Sequence, residues 1–110
     1  MTTTLIEAPT IAPAPDKPVE LNETGKVLLR ARDILLERGW VQGVSGAPGG
    51  PRCVGGAMSE ASDSGHAVET FTRFVTSVGI RLGGVAPWND APGRTREEVV
   101  LALERAAYQV

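Results

Sequence analysis

Trp88-Asn89-Asp90-Ala91-Pro92-Gly93-Arg94-Thr95-Arg96-Glu97-Glu98 puts an aromatic anchor, a tight turn and a helix start into one short stretch. Pro92 presets φ and Gly93 accepts positive φ, so the pair reads as a turn. Thr95 followed three residues later by Glu98 is a capping-box pattern, with the apolar run Val99-Val100-Leu101 directly behind it. A helix is therefore expected from Arg96 to the C-terminus, with Val99, Val100, Leu103, Ala106 and Ala107 inside. Glu97 and Glu98 at its start and Arg105 near its end suit the helix dipole. Asn89 and Asp90 fit an Asx-type turn before it. Trp88 is expected to pack behind that turn, against the Trp40 end of the first helix.

Upstream, the apolar spacing changes from loop to helix twice. Val27, Leu28, Ala31, Ile34 and Leu35 share one face, which predicts a helix from Asn22, a good cap residue, to Arg38. Gly39 then sits where a left-handed C-terminal residue belongs, and Trp40 would fold back on Leu35 in a Schellman arrangement. Ala67, Val68, Phe71, Phe74, Val75 and Val78 predict another helix over residues 65–78, with His66 solvated at its beginning. Between them, residues 41–52 carry Gly43, Gly46, Pro48, Gly49, Gly50 and Pro51 and read as a loop. These glycines follow no strand and precede no Lys-Ser/Thr pair, so the loop is not a P-loop. Cys53-Val54-Gly55-Gly56-Ala57-Met58 suits a short strand or a buried helical turn, with Pro51 favouring the helix. Its small residues would let another element approach closely. Residues 79–85 read as a Gly-punctuated loop, with a short strand as the alternative.

The resulting fold class is all-α: a bundle of three longer helices plus a short apolar helical segment, occupying residues 22–110. Residues 1–21, with Pro9, Pro13, Pro15 and Pro18, read as an extended or disordered arm. Leu5 and Ile6 in that arm are able to dock on a partner or on the domain itself. Of the 110 residues, about 90 remain for a core, enough to fold without staples.

Charge and cysteine content narrow the function. The chain's formal net charge is −2, and Glu7, Asp16, Lys17 and Glu20 of the arm account for all of it. A neutral domain lacks the electrostatic footprint of a non-specific nucleic-acid binder, so nucleic acid is disfavoured as a partner. Cys53 is the one cysteine, which excludes an internal disulfide and a multi-cysteine metal site; it reads as a buried small hydrophobe. No apolar run reaches membrane-spanning length, and the N-terminus lacks a secretory signal, so no membrane association and a cytoplasmic location are expected.

Three pieces in order carry a family resemblance. They are Asp33 to Gly43 with its Gly39-Trp40-Val41-Gln42-Gly43 end, then Cys53-Val54-Gly55-Gly56-Ala57-Met58, then Trp88-Asn89-Asp90 through Arg94-Thr95 and the final helix. Over about residues 25–110 the chain resembles an uncharacterised family of small proteins from actinobacteria and their phages. The resemblance implies that context and brings no activity, cofactor or catalytic residue with it.

On the residues alone, the chain reads as a small accessory or binding protein acting through contacts with an unidentified protein partner. A homo-oligomer is left open. The candidate binding residues are Trp40, Gln42, Trp88, Asn89, Asp90 and Arg94, with Thr95 and Glu98 as a structural cap. No catalytic residue, metal ligand or cofactor is assigned. An enzyme is the first alternative, its site gathering Cys53 with those six, Asp90 as base and Arg94 as anion clamp. The lack of paired carboxylates or a Ser–His–Asp order weighs against it. A DNA-binding regulator is the second, weakened by Arg94, Arg96 and Arg105 being offset by Glu97, Glu98 and Glu104.

Overall fold

The computed structural model describes residues 21–108. Five α-helices follow one another: α1 (Glu23–Arg38), α2 (Val54–Ala61), α3 (Ala67–Val78), α4 (Val85–Asn89) and α5 (Arg96–Ala107). A 3₁₀ turn, Leu82–Gly84, leads into α4. The described residues contain no strand, only isolated bridges from Arg52 to Trp40 and Gly46. The all-α expectation holds, with three long helices and an apolar α2. The arm lies outside the described residues except for Leu21, which is part of the packed domain and leans on its core.

Helix α1 forms the spine. Asn22 caps it, its Oδ1 accepting from the Gly25 N–H at 2.8 Å. Its expected face, Val27, Leu28, Ala31, Ile34 and Leu35, is buried throughout. Helix α5 runs antiparallel along α1. Gly25 lies against the Ala107 carbonyl, where a Cβ would come within 2.7 Å, and Arg32 reaches Glu104 at 3.1 Å. Helix α3 packs on α5, and Arg73 in its middle ties the start of α1 to the end of α5 by donating to Asn22 Oδ1 and to the Ala107 carbonyl.

Four local expectations need correction. Gly39 adopts φ 103° and ψ 163°, not the left-handed helical region, so there is no Schellman turn at the end of α1. The chain extends instead because Arg52 N–H donates to the Gly39 carbonyl and Val41 N–H to the Arg52 carbonyl. The left-handed stop occurs at Gly79 (φ 78°), where the Gly79 and Ile80 N–H groups both donate to the Val75 carbonyl. The stripe of α3 is only partly inside: Phe74 and Val75 are buried, but Ala67 and Val68 lie on a first turn that no neighbour covers, and Thr70 takes an inner position. On α5, Ala102 is buried and Val100 only half so. The loop-or-strand reading of residues 79–85 misses the 3₁₀ turn at Leu82–Gly84 and the start of α4 at Val85, whose side chain is buried.

Candidate functional site

Asn89, the last residue of α4, is fully buried, and its side chain spends every hydrogen-bonding position it has. Its Oδ1 accepts from Trp40 Nε1 at 2.7 Å and from the Val54 N–H at 2.9 Å. Its Nδ2 donates to the Val41 carbonyl at 3.0 Å and to Asp90 Oδ1 at 2.9 Å. Val54 opens α2, and the first N–H groups of a helix have no partner within it. Asn89 therefore caps α2 from a distant part of the chain. Cys53 adds a weaker cap, its Sγ accepting from the Gly56 N–H at 3.2 Å.

The neighbours of Asn89 extend this clasp. Gln42 Nε2 donates to the Asn89 carbonyl at 3.0 Å and to the Ala91 carbonyl at 3.2 Å. Asp90 Oδ1 also accepts from the Gly43 N–H at 2.9 Å. That backbone bond, with the one from Asn89, holds the Asp90 carboxyl below the usual aspartate range. Asn89 and Asp90 thus reach across to residues 40–43 and 54 and do not close an Asx turn on their own backbone.

Beyond the clasp, Ala91-Pro92-Gly93-Arg94 makes the expected turn. The Arg94 N–H donates to the Ala91 carbonyl, and Gly93 takes φ 83°. Arg94 Nε then donates to the Trp88 carbonyl at 2.9 Å while its guanidinium lies 4.2 Å from the Trp88 ring centroid. Phe74 meets the same indole edge-to-face, centroids 5.3 Å apart and planes at 82°. Trp88 therefore packs on α3 through Phe74, not on the Trp40 end of α1; Asn89 makes the link to Trp40. The reason is periodicity: adjacent positions on α4 point to different sides, so Trp88 and Asn89 serve different partners. The capping box closes the segment, with Glu98 N–H to Thr95 Oγ1 at 3.1 Å and Thr95 N–H to Glu98 Oε1 at 3.0 Å.

A second polar cluster went unread in the sequence. Arg52 is 8% exposed and donates to the Gly46 and Gly56 carbonyls, both at 2.9 Å. Glu60 sits 2.7 Å from Arg38 and 3.6 Å from Arg52. Arg38 is the main cause that draws the Glu60 carboxyl below its ordinary range, with help from the Gly49 N–H and Arg52. Gly56 makes the approach of the loop feasible: a Cβ there would stand 2.5 Å from the Ser45 carbonyl oxygen and 2.8 Å from Arg52 Nε. The Gly55-Gly56 pair was the signal for this close approach, but nothing in the sequence named Arg52 as the guest.

All six candidate binding residues meet around α4, so the structure gathers them. It gathers them largely for one another. What faces outward beside them is a shallow groove of about 290 Å³ between α3, α4 and α5, lined by Ser77, Val78, Trp88, Leu101 and Arg105 among others. Leu101 is 45% exposed there. Arg105 has no ion-pair or hydrogen-bond partner among the described residues. Cys53 is half-buried and His66 is exposed. Among the described residues, no group of His, Cys, Asp and Glu is placed to hold a metal ion, and no helix is long and apolar enough to cross a membrane.

A model for a family of unknown function, DUF6197, matches residues 20–109. The chain belongs to that family. No curated protein and no solved structure shows significant similarity to it. The family match spans α1 to α5 and so includes the clasp, both caps and the Arg52 cluster.

Proposed function

We propose that this member of DUF6197 is a small accessory protein of the cytoplasm, of actinobacterial or phage origin, that acts by contact with a protein partner. The observation that supports this reading is how the Trp88–Arg94 segment uses its polar atoms. Asn89 is saturated, Gln42 is tied to two carbonyls, and Asp90 shares one oxygen between two donors. Asp90 is also the wrong base for chemistry near neutral pH, because its neighbours lower its proton affinity. The segment therefore serves as a scaffold, and the surface it builds is the groove with Trp88 in its wall and Leu101 on its rim. A half-exposed aromatic beside an aliphatic side chain and an arginine is the composition that anchors protein contacts.

The test uses Leu101→Arg, a change at an exposed position that leaves the core intact. Equal amounts of folded wild type and variant are used as bait in lysate of the source organism. A protein retained by the wild type and lost by the variant is the expected result. If every captured protein binds both baits equally, the groove is not the contact surface and the reading fails.

A further inference from the structure

The face of α5 that borders the groove has opposite charges at its two ends and apolar side chains between them. Glu98 and Arg105 are about two helical turns apart, roughly 10 Å along the axis, so they lie on one stripe. Leu101 and Ala102 fall on either side of the midpoint. Both charges are available. The Glu98 side chain is 54% exposed. Its Oε1 accepts from the Thr95 N–H and stands 3.7 Å from Arg94, while its Oε2 takes no hydrogen bond among the described residues. Arg105 is exposed and has no ion-pair or hydrogen-bond partner among the described residues. The other charges on the outer side of α5 are already paired, Arg96 with Glu97 and Glu104 with Arg32. An acidic ligand would meet Glu98 and a basic one Arg105, so neither fits the whole groove. The matching surface carries the opposite charges in the opposite order, and a second α5 running antiparallel is such a surface.

We infer that the groove is the contact surface of a weak symmetric dimer, in which α5 packs antiparallel on α5 of a second copy about a two-fold axis between Leu101 and Ala102. That axis sets Glu98 opposite the second copy's Arg105. The same operation sets Arg105 opposite the second copy's Glu98, as an isologous interface requires. The apolar parts match as well. Leu101 stands 45% exposed on the rim, and the hollow beside it is lined by Ala102, Val78 and Trp88. Each copy thus offers the side chain that the other's hollow takes. The small Ala102 permits the approach of about 8–10 Å usual for packed helices, which glutamate and arginine side chains can span. Arg94 is held on the Trp88 ring and the Trp88 carbonyl, which leaves Glu98 Oε2 to the second copy. Exposed ion pairs add little affinity, so their part here is to fix register and orientation. Seven residues line the groove, against about 20–30 a side in a standard interface, so the dimer belongs to the weak class. The inference deepens the partner reading by naming the partner, and it rests on that reading in taking the groove as a contact surface.

Sedimentation velocity of the purified full-length chain, from about 10 µM to about 1 mM, reads the association directly. The weight-average mass is expected to rise from that of one chain toward that of two. Arg105→Glu and Leu101→Arg should each weaken association by about tenfold or more. The sharpest sample is a mixture of Arg105→Glu with Glu98→Lys. Each variant alone opposes like charges, whereas one copy of each restores both pairs, so the mixture should associate more tightly than either component. Glu98→Lys also loses half of the capping box, so circular dichroism checks that it folds. Arg105→Glu and Leu101→Arg touch neither cap nor core and decide the question without it. A wild-type chain that stays monomeric at about 1 mM overturns the inference. So does association that Leu101→Arg or Arg105→Glu leaves unchanged, which would place the contact on another face. A mixture no tighter than its folded components overturns the antiparallel register. A monomeric wild type, beside a different lysate protein that Leu101→Arg releases, would remove the second copy and keep the partner reading. A dimer, beside a lysate in which no other protein tells the baits apart, would keep the second copy and remove the unlike partner.

Discussion

Replacing Asn89 with alanine removes four hydrogen bonds from a site with no solvent exposure. The cost is set less by the bonds lost than by the groups left behind. Val54 N–H is buried and opens a helix, so it finds no substitute partner. Trp40 Nε1 and the Val41 carbonyl belong to half-buried residues and recover part of their solvation. With about 1–3 kcal/mol for each stranded buried group, Asn89→Ala should cost about 3–5 kcal/mol. That is a large part of the roughly 5–15 kcal/mol that holds a typical domain together. Asn89→Asp is the sharper variant, because it keeps Oδ1 for Trp40 and Val54 and turns the donor into a second oxygen. That oxygen would face the Val41 carbonyl and the Asp90 carboxylate, so burial and like charge both raise the new group's pKa. A raised pKa for an acid means that the penalty is present at neutral pH and is relieved as the pH falls and the group takes a proton. Urea unfolding followed by tryptophan fluorescence at neutral pH and near pH 5 measures both variants. Asn89→Ala within about 1 kcal/mol of wild type, against the cost of one stranded donor, would show that the clasp is not a stability element. Asn89→Asp equally destabilised at both pH values would refute the charge argument.

Other outcomes follow from the same geometry. Gly56→Ala should destabilise by about 2 kcal/mol or more, because the new methyl meets the Ser45 carbonyl and the buried Arg52; a wild-type urea midpoint would show that the 43–52 loop gives way freely. Thr95→Ala removes one half of the capping box and should cost about 1 kcal/mol in the same assay, with Thr95→Ser close to wild type. Trp88→Ala should cost about 2–3 kcal/mol, less than a fully buried tryptophan, because the ring is half-exposed yet holds Phe74 and Arg94; an unchanged midpoint would make it a surface residue only. Asp90 and Glu60 both have lowered folded pKa values, so the stability they add is complete above the ordinary carboxylate range of about 4. It is lost as pH falls through their folded values. Asp90→Asn keeps the acceptor for Gly43 and drops the charge, so it should flatten the acid limb of the stability–pH curve; an unchanged limb would take Asp90 out of that linkage.

The helices were legible wherever the signal was local. Asn22 before α1, Thr95 and Glu98 at α5, and the apolar spacing of α1 all report on residues within two turns of one another. The end of α1 was misread because its geometry is set by Arg52, thirteen positions beyond Gly39 and paired to it across the loop. A glycine permits both the left-handed stop and the extended exit, and only the distant partner chooses between them. The same holds for Asn89. Its position next to Asp90 and a Pro-Gly turn looks like local turn chemistry, and the alternative needs knowledge of where Trp40, Val41 and Val54 come to rest. Trp40, Gln42, Asn89 and Asp90 do meet in space, because the segments that hold them converge on α4. Their roles were not readable, because a buried asparagine that joins three segments and one that waits for a ligand have the same letters. What separates them is whether each donor and acceptor already has a partner. For Asn89 all four positions do, so any ligand reaching it would first have to break the contact that keeps α2, α4 and the end of α1 together.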